Sequence, residues 1–228
     1  MKHITFYLDF ISPYAYLAFE RLPEALEGVS YSVSYQPVLF AGMLKHYGQL
    51  GPAEIAPKRD WTYRQVLWVA KSLGIELEMP ASHPFNPLPV LRLALACSPD
   101  VTPAHPNRHV CEAVFRHIWR GGAEAGDAQR LQALTQQLSP LRDLQDDACA
   151  AEVKLQLQKN TENAIADGVF GVPSFAVDDK IFWGLDALPM LRDYLQGDAW
   201  FEGAGWKSAC QVSVGVTRTS ALKDARFP

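Results

Sequence analysis

The sequence predicts an α/β fold in which a βαβ unit and a ββα unit are separated by a long run of helices. Three observations carry this. "ITFYLDFISPYAYLAFE" (4–20) changes its apolar period from two to 3.6 across Ser12-Pro13. "VSYSVSYQPVL" (29–39) alternates again, one helix length later. Far along the chain, "VPSFAVDDKIFWG" (172–184) reads as a strand hairpin turning at Asp178-Asp179, with amphipathic "LDALPMLRDYLQG" (185–197) behind it.

Taken in order, Ile4, Phe6, Leu8 and Phe10 line one face of the first strand. Ser12 is a strong helix N-cap, and Pro13 suits the first helical position, where its missing N–H costs nothing. Pro23 should kink the first helix or divide it. Val29, Tyr31, Val33 and Tyr35 share a face of the second strand, which a connecting helix makes parallel to the first. "FAGMLKHYGQLGPAEIAPKRD" (40–60) is rich in Gly and Pro and reads as a loop with a short helical turn near Met43. Helices follow over 61–74, 88–97, 107–122, 127–138 and 146–168, with Trp61, Trp68 and Trp119 expected in the core. "HPFNP" (83–87) reads as a turn, with His83 on the surface. Beyond residue 197 the chain is polar, and only "CQVSVGVTR" (210–218) suggests an added edge strand. Residues 1–40 and 168–197 thus form one domain of thioredoxin-like element order, 41–167 a connecting loop and all-helical insertion, and 198–228 a tail.

Composition narrows the function classes. The 228 residues are 48% hydrophobic and carry a net charge of −4, which offers no pull towards nucleic acid or an anionic membrane. Asp9 interrupts the one N-terminal apolar stretch, so the reading is a soluble, cytoplasmic protein. Cys97, Cys111, Cys149 and Cys210 form no C-x-x-C pair and have no histidine at metal-ligand spacing, so neither a metal site nor disulfide chemistry is expected.

Two features converge on the end of the sheet. Ser12 opens a helix whose free N–H groups and about half a unit of positive charge favour an anion. It is either a plain N-cap or a hydroxyl that does chemistry. Pro173, in "GVFGVPSF", opens the third strand, which in this element order faces that helix start. A free thiol has a pKa near 8.5, and lowering it by two needs roughly 2.7 kcal/mol. A hydroxyl donor together with a helix N-terminus is of that order.

"FYLDFISPYAYLAFERL" and "GVFGVPSFAVDDKIFWGLDAL" together resemble the 2-hydroxychromene-2-carboxylate isomerases and the kappa-class glutathione transferases, on the disulfide-oxidase branch of the thioredoxin fold. The resemblance implies a glutathione cofactor and a cis bond before Pro173. Ser12 would donate to the glutathione sulfur. The backbone of Val172 would pair with the cysteinyl part, and Trp183, Gly184, Leu185 and Asp186 would hold the γ-glutamyl end, with Asp186 on its ammonium. Lys45, Gln49, Lys58 and Asn86 are the candidates for the glycyl carboxylate and a small aromatic substrate. The activity implied is cis–trans isomerisation of an unsaturated aromatic carboxylate by reversible thiolate addition, in a homodimer. A kappa-like transferase is the alternative. A disulfide oxidoreductase lacks its cysteine at Ser12, and a binding module without catalysis would not be stabilised by glutathione.

Overall fold

The computed structural model describes residues 1–99 and 105–216. Its centre is a four-stranded sheet in the order β2-β1-β3-β4, made of β1 (Lys2–Leu8), β2 (Tyr31–Pro37), β3 (Ser174–Val177) and β4 (Lys180–Trp183). β1 pairs parallel with β2, Ile4 against Val33 and Phe6 against Tyr35, and antiparallel with β3. The hairpin turns at Asp178, whose φ is 55°. An aspartate accepts that left-handed conformation more readily than most residues.

Because β1 is central, both its faces are covered. Ile4, Phe6 and Leu8 enter the main core with Phe10, Leu17, Phe19 and Phe115, while Tyr7 on the other face joins Val38, Met43, Ala164 and Val169. The single buried face read from the alternation is therefore half the account.

α1 (Pro13–Ala25) is capped by Ser12, whose Oγ accepts from the Ala15 N–H at 3.2 Å. Pro23 lies within α1 without dividing it. The 40–60 stretch is mostly helical, which corrects the loop expected there. α2 (Phe40–Tyr47) buries Met43 and Leu44 and ends at Gly48, and α3 (Ala56–Leu73) starts five residues before Trp61, with proline in its first turn. A glycine past a helix end and a proline in its first turn bound these helices, so the same residues that suggested loop act here as punctuation. α3 buries only Val66 and Ala70, so Trp61 and Trp68 lie outside the core, 63% and 67% exposed. Trp119 is fully buried as expected.

α4 (Leu88–Ala96), α5 (Arg108–Trp119), α6 (Ala128–Leu138) and α7 (Asp147–Ala166) complete the helical block, and α8 (Leu188–Gln196) follows the hairpin. In the tail, a 3₁₀ turn (Ala199–Glu202) and α9 (Ala204–Ala209) bring Phe201 and Trp206 against Phe182. No strand forms over 210–216, and the last two residues of the suggested edge strand lie outside the described residues. Among the described residues no helix is long and apolar enough to cross a membrane.

Candidate functional site

The site is built where β1 hands over to α1. Asp9 is fully buried there, its carboxylate accepting from the Ile11 N–H at 3.1 Å and from the Phe40 N–H at 2.9 Å. It thereby joins the β1–α1 turn to the start of α2. Burial pushes its pKa up to about 7, against the lowering effect of those two bonds. The Trp119 indole N–H donates to the Phe10 carbonyl at 3.0 Å, so the turn is also held from α5.

Ser12 is buried, and its hydroxyl is directed at the Val172 carbonyl at 3.5 Å, the long limit of a hydrogen bond. The Val172–Pro173 bond is cis. The Pro173 carbonyl accepts from the Gly184 N–H at 3.0 Å, which ties the start of β3 to the turn after β4.

From this point a groove of about 830 Å³ runs between α1, α3 and α8, lined by Val172, Pro173, Trp183, Gly184, Leu185 and Asp186. Those six residues, all read from the second of the two stretches quoted above, line it together. Tyr14, Arg21, Gln65 and Arg192 line it as well. The Tyr14 hydroxyl donates to Gln65 Oε1 at 2.7 Å, and burial, then the Asp186 charge, holds its phenol above the ordinary range. Arg21 pairs with Glu24 on its own helix, and Arg192 donates to the carbonyls of Ala25 and Glu27 at 2.8 Å.

Two glycines shape this groove. Gly184 has φ 101°, and a Cβ there would run into the Asp186 carboxylate. A Cβ on Gly171 would sit 2.7 Å from the Trp183 indole nitrogen.

Of the residues read from the sequence, Ser12, Lys45, Gln49, Lys58 and Asn86 do not line this groove; Ser12 is buried beside it and reaches it only through its contact with Val172. Lys45 is in the last turn of α2 and Gln49 follows its end; both are exposed. Lys58 is exposed in the first turn of α3. Asn86 accepts from the Leu88 N–H at 3.1 Å and so helps to start α4.

His83 is not on the surface as read from the sequence. Its ring is held between Tyr63 and the Ile11 carbonyl, and that burial lowers its pKa. Tyr14 and Arg21, which sequence reasoning missed, stand seven residues apart and so on one face of α1; that spacing was the available signal. Nothing in the local sequence marks Gln65 or Arg192. Cys97 and Cys111 are buried free thiols, with Cys111 pushed well above the ordinary range by burial.

The DSBA-like thioredoxin domain family matches residues 3–196. The chain belongs to that family. A 2-hydroxychromene-2-carboxylate isomerase of Sphingobium xenophagum is 31% identical over 202 residues, covering 85% of this chain and 98% of that one. A Caenorhabditis elegans protein named glutathione s-transferase kappa 2 is 26% identical, covering 85% and 92%. Among solved structures, a 2-hydroxychromene-2-carboxylate isomerase superposes with a TM-score of 0.70 at 23% identity, over 92% of this chain and all of that one. The relatives therefore place the chain with thioredoxin-fold isomerases and kappa-class transferases.

Proposed function

We propose that the protein is a glutathione-dependent isomerase acting on an unsaturated aromatic carboxylate of the 2-hydroxychromene-2-carboxylate type. The observation that carries this is the Ser12 hydroxyl at the N-terminus of α1, directed at the carbonyl of Val172, which lines the same groove as Asp186. A glutathione laid along that groove puts its sulfur at Ser12 and its amino-acid end at Asp186. Arg21 and Arg192 supply positive charge for the carboxylate of the same end. Lys45 and Lys58 lie outside the groove, and this reading gives them no contact with glutathione.

Ser12 stays protonated and donates to the thiolate, while the free N–H groups of the first turn add their field. The thiolate adds to the carbon β to the substrate carbonyl, and the displaced electron pair moves onto the carbonyl oxygen. What was a double bond is now single and rotates. The enolate then collapses, the double bond reforms, and the carbon–sulfur bond breaks to return the thiolate. No atom is gained or lost, so glutathione is a catalyst. A homodimer in the cytoplasm is the form this reading assigns.

A kappa-like transferase is the second reading, favoured by the match to a kappa-class protein. A time course with glutathione and an unsaturated aryl 2-oxo acid separates them. The isomerase turns over many substrates per glutathione, whereas consumption of one glutathione per product establishes the transferase. Failure of glutathione to bind at all, or to raise the melting temperature, defeats both.

A further inference from the structure

The β1–α1 turn is gripped by a titratable residue that the proposed reaction does not use. His83 Nε2 lies 2.8 Å from the Ile11 carbonyl oxygen, on the peptide that enters Ser12. Its Nδ1 lies 2.7 Å from the Tyr63 hydroxyl, which is itself 2.8 Å from the His83 carbonyl. A carbonyl only accepts, so Nε2 carries a proton in this arrangement. With the ring neutral, Nδ1 accepts from Tyr63. With the ring charged, Nδ1–H donates to the Tyr63 oxygen, and Tyr63 turns its proton to the His83 carbonyl. Every hydrogen bond survives, so the ring can gain a charge without releasing Ile11.

The surroundings are otherwise sparse in charge. From α3 the ring meets Tyr63, on which Arg59 and Asp60 act. From α5 it meets the Trp119 ring at 5.6 Å, and from its own loop Phe85 at 5.9 Å. The preceding residue, Ser82, donates to Glu124. Asp9 stands two residues before Ile11 and bonds to the Ile11 N–H. His83 thus faces a carbonyl, a phenol and rings, and a change in its charge is felt along the turn that carries Ser12.

We propose that His83 is a positioning residue for the thiol site: the imidazole held by Tyr63 fixes the Ile11–Ser12 peptide, hence the direction of the Ser12 hydroxyl, and its protonation is coupled to ionisation of the thiol bound there. This rests on the glutathione reading above. Coupling is reciprocal: a charged ring favours the thiolate, and the thiolate favours a charged ring by the same factor.

The test compares wild type, His83→Gln and His83→Leu with glutathione as the probe. It follows the bound thiol by its thiolate absorbance across pH, kcat and KM with an unsaturated aryl 2-oxo acid, and the His83 ring by proton NMR with and without glutathione. His83→Leu is expected to leave about tenfold less thiolate at neutral pH and to lower kcat about tenfold, with KM for glutathione within about twofold. His83→Gln, whose amide can still donate to Ile11, should return kcat to within about threefold of wild type yet move the acid limb of the pH profile to higher pH. In wild type, glutathione should raise the pH at which the ring titrates.

A folded His83→Leu protein with unchanged thiol titration overturns the proposal. So does a kcat loss that merely follows the melting temperature, with Gln no better than Leu. Should His83→Leu fail to fold, the Gln variant and the NMR titration decide. Wild type that binds no glutathione defeats the underlying reading and this one with it. Wild type that binds glutathione while its His83 titration stays put defeats this one alone.

Discussion

The sheet edge and the helices around it contribute to the site in different ways. From the sheet side, Val172, Pro173, Trp183, Gly184, Leu185 and Asp186 share one wall, linked by the bond from Gly184 to Pro173. From the helical side, the candidates Lys45, Gln49, Lys58 and Asn86 stay outside it, while Tyr14, Gln65, Arg21 and Arg192 take the facing positions. Strand ends are placed by backbone pairing, so a short motif fixes where its residues go. Residues on α2 and α3 are placed by which arc of a helix is buried, and that depends on packing partners distant in sequence.

The largest expected effect tests the joint between the two regions. Asp9 accepts from both, and its carboxyl is held up at about 7 by burial. Between about pH 4 and 7 the folded protein keeps a proton that the unfolded chain has lost, so this group's contribution to stability falls as pH rises through that window and is flat above it. Asp9→Asn should abolish that slope. The difference in unfolding free energy between the variants should change by on the order of 3 kcal/mol from pH 4 to 8, read by urea denaturation. A difference independent of pH would show that the joint does not titrate.

On the sheet side, Ser12→Ala should lower kcat about 100-fold, the loss typical of one donor to a developing anion. The lost cap should cost about 1 kcal/mol, a few degrees of melting temperature. Turnover like that of wild type would remove the hydroxyl from the chemistry. Asp186→Asn should weaken glutathione binding about tenfold by calorimetry, since it loses a charge-assisted bond but keeps the shape.

Smaller effects belong to the helical side. Arg21→Met should weaken glutathione about fivefold and should not affect an analogue lacking the γ-glutamyl carboxylate; its pair with Glu24 is exposed and contributes little to stability. Lys45→Met and Lys58→Met should each change glutathione binding less than threefold, because neither lines the groove. A larger loss would bring that helical segment over the site and redraw the comparison.

How much was legible follows the same division. The change of period at Ser12-Pro13 and the hairpin at Asp178-Asp179 have local causes, and both stand in the structure. The parallel pairing of β1 with β2 followed from the helix between them. The 40–60 stretch was misread because Gly48, Pro52 and Pro57 bound helices there without forbidding them. Trp61 and Trp68 were misplaced because a large ring says nothing about which side of a helix has a neighbour. His83 was legible least of all: its partners, Tyr63 and Ile11, lie 20 and 72 residues away.

Gly184 gives the groove one more property. Any carbon attached there would collide with the Asp186 carboxylate, and the backbone conformation itself resists replacement. Variation that reshapes the pocket for a bulkier thiol is therefore resisted at position 184 and falls more readily on the side chains of α1, α3 and α8. The molecule has one fixed jaw and one adjustable jaw, and new substrate preferences should arise on the second.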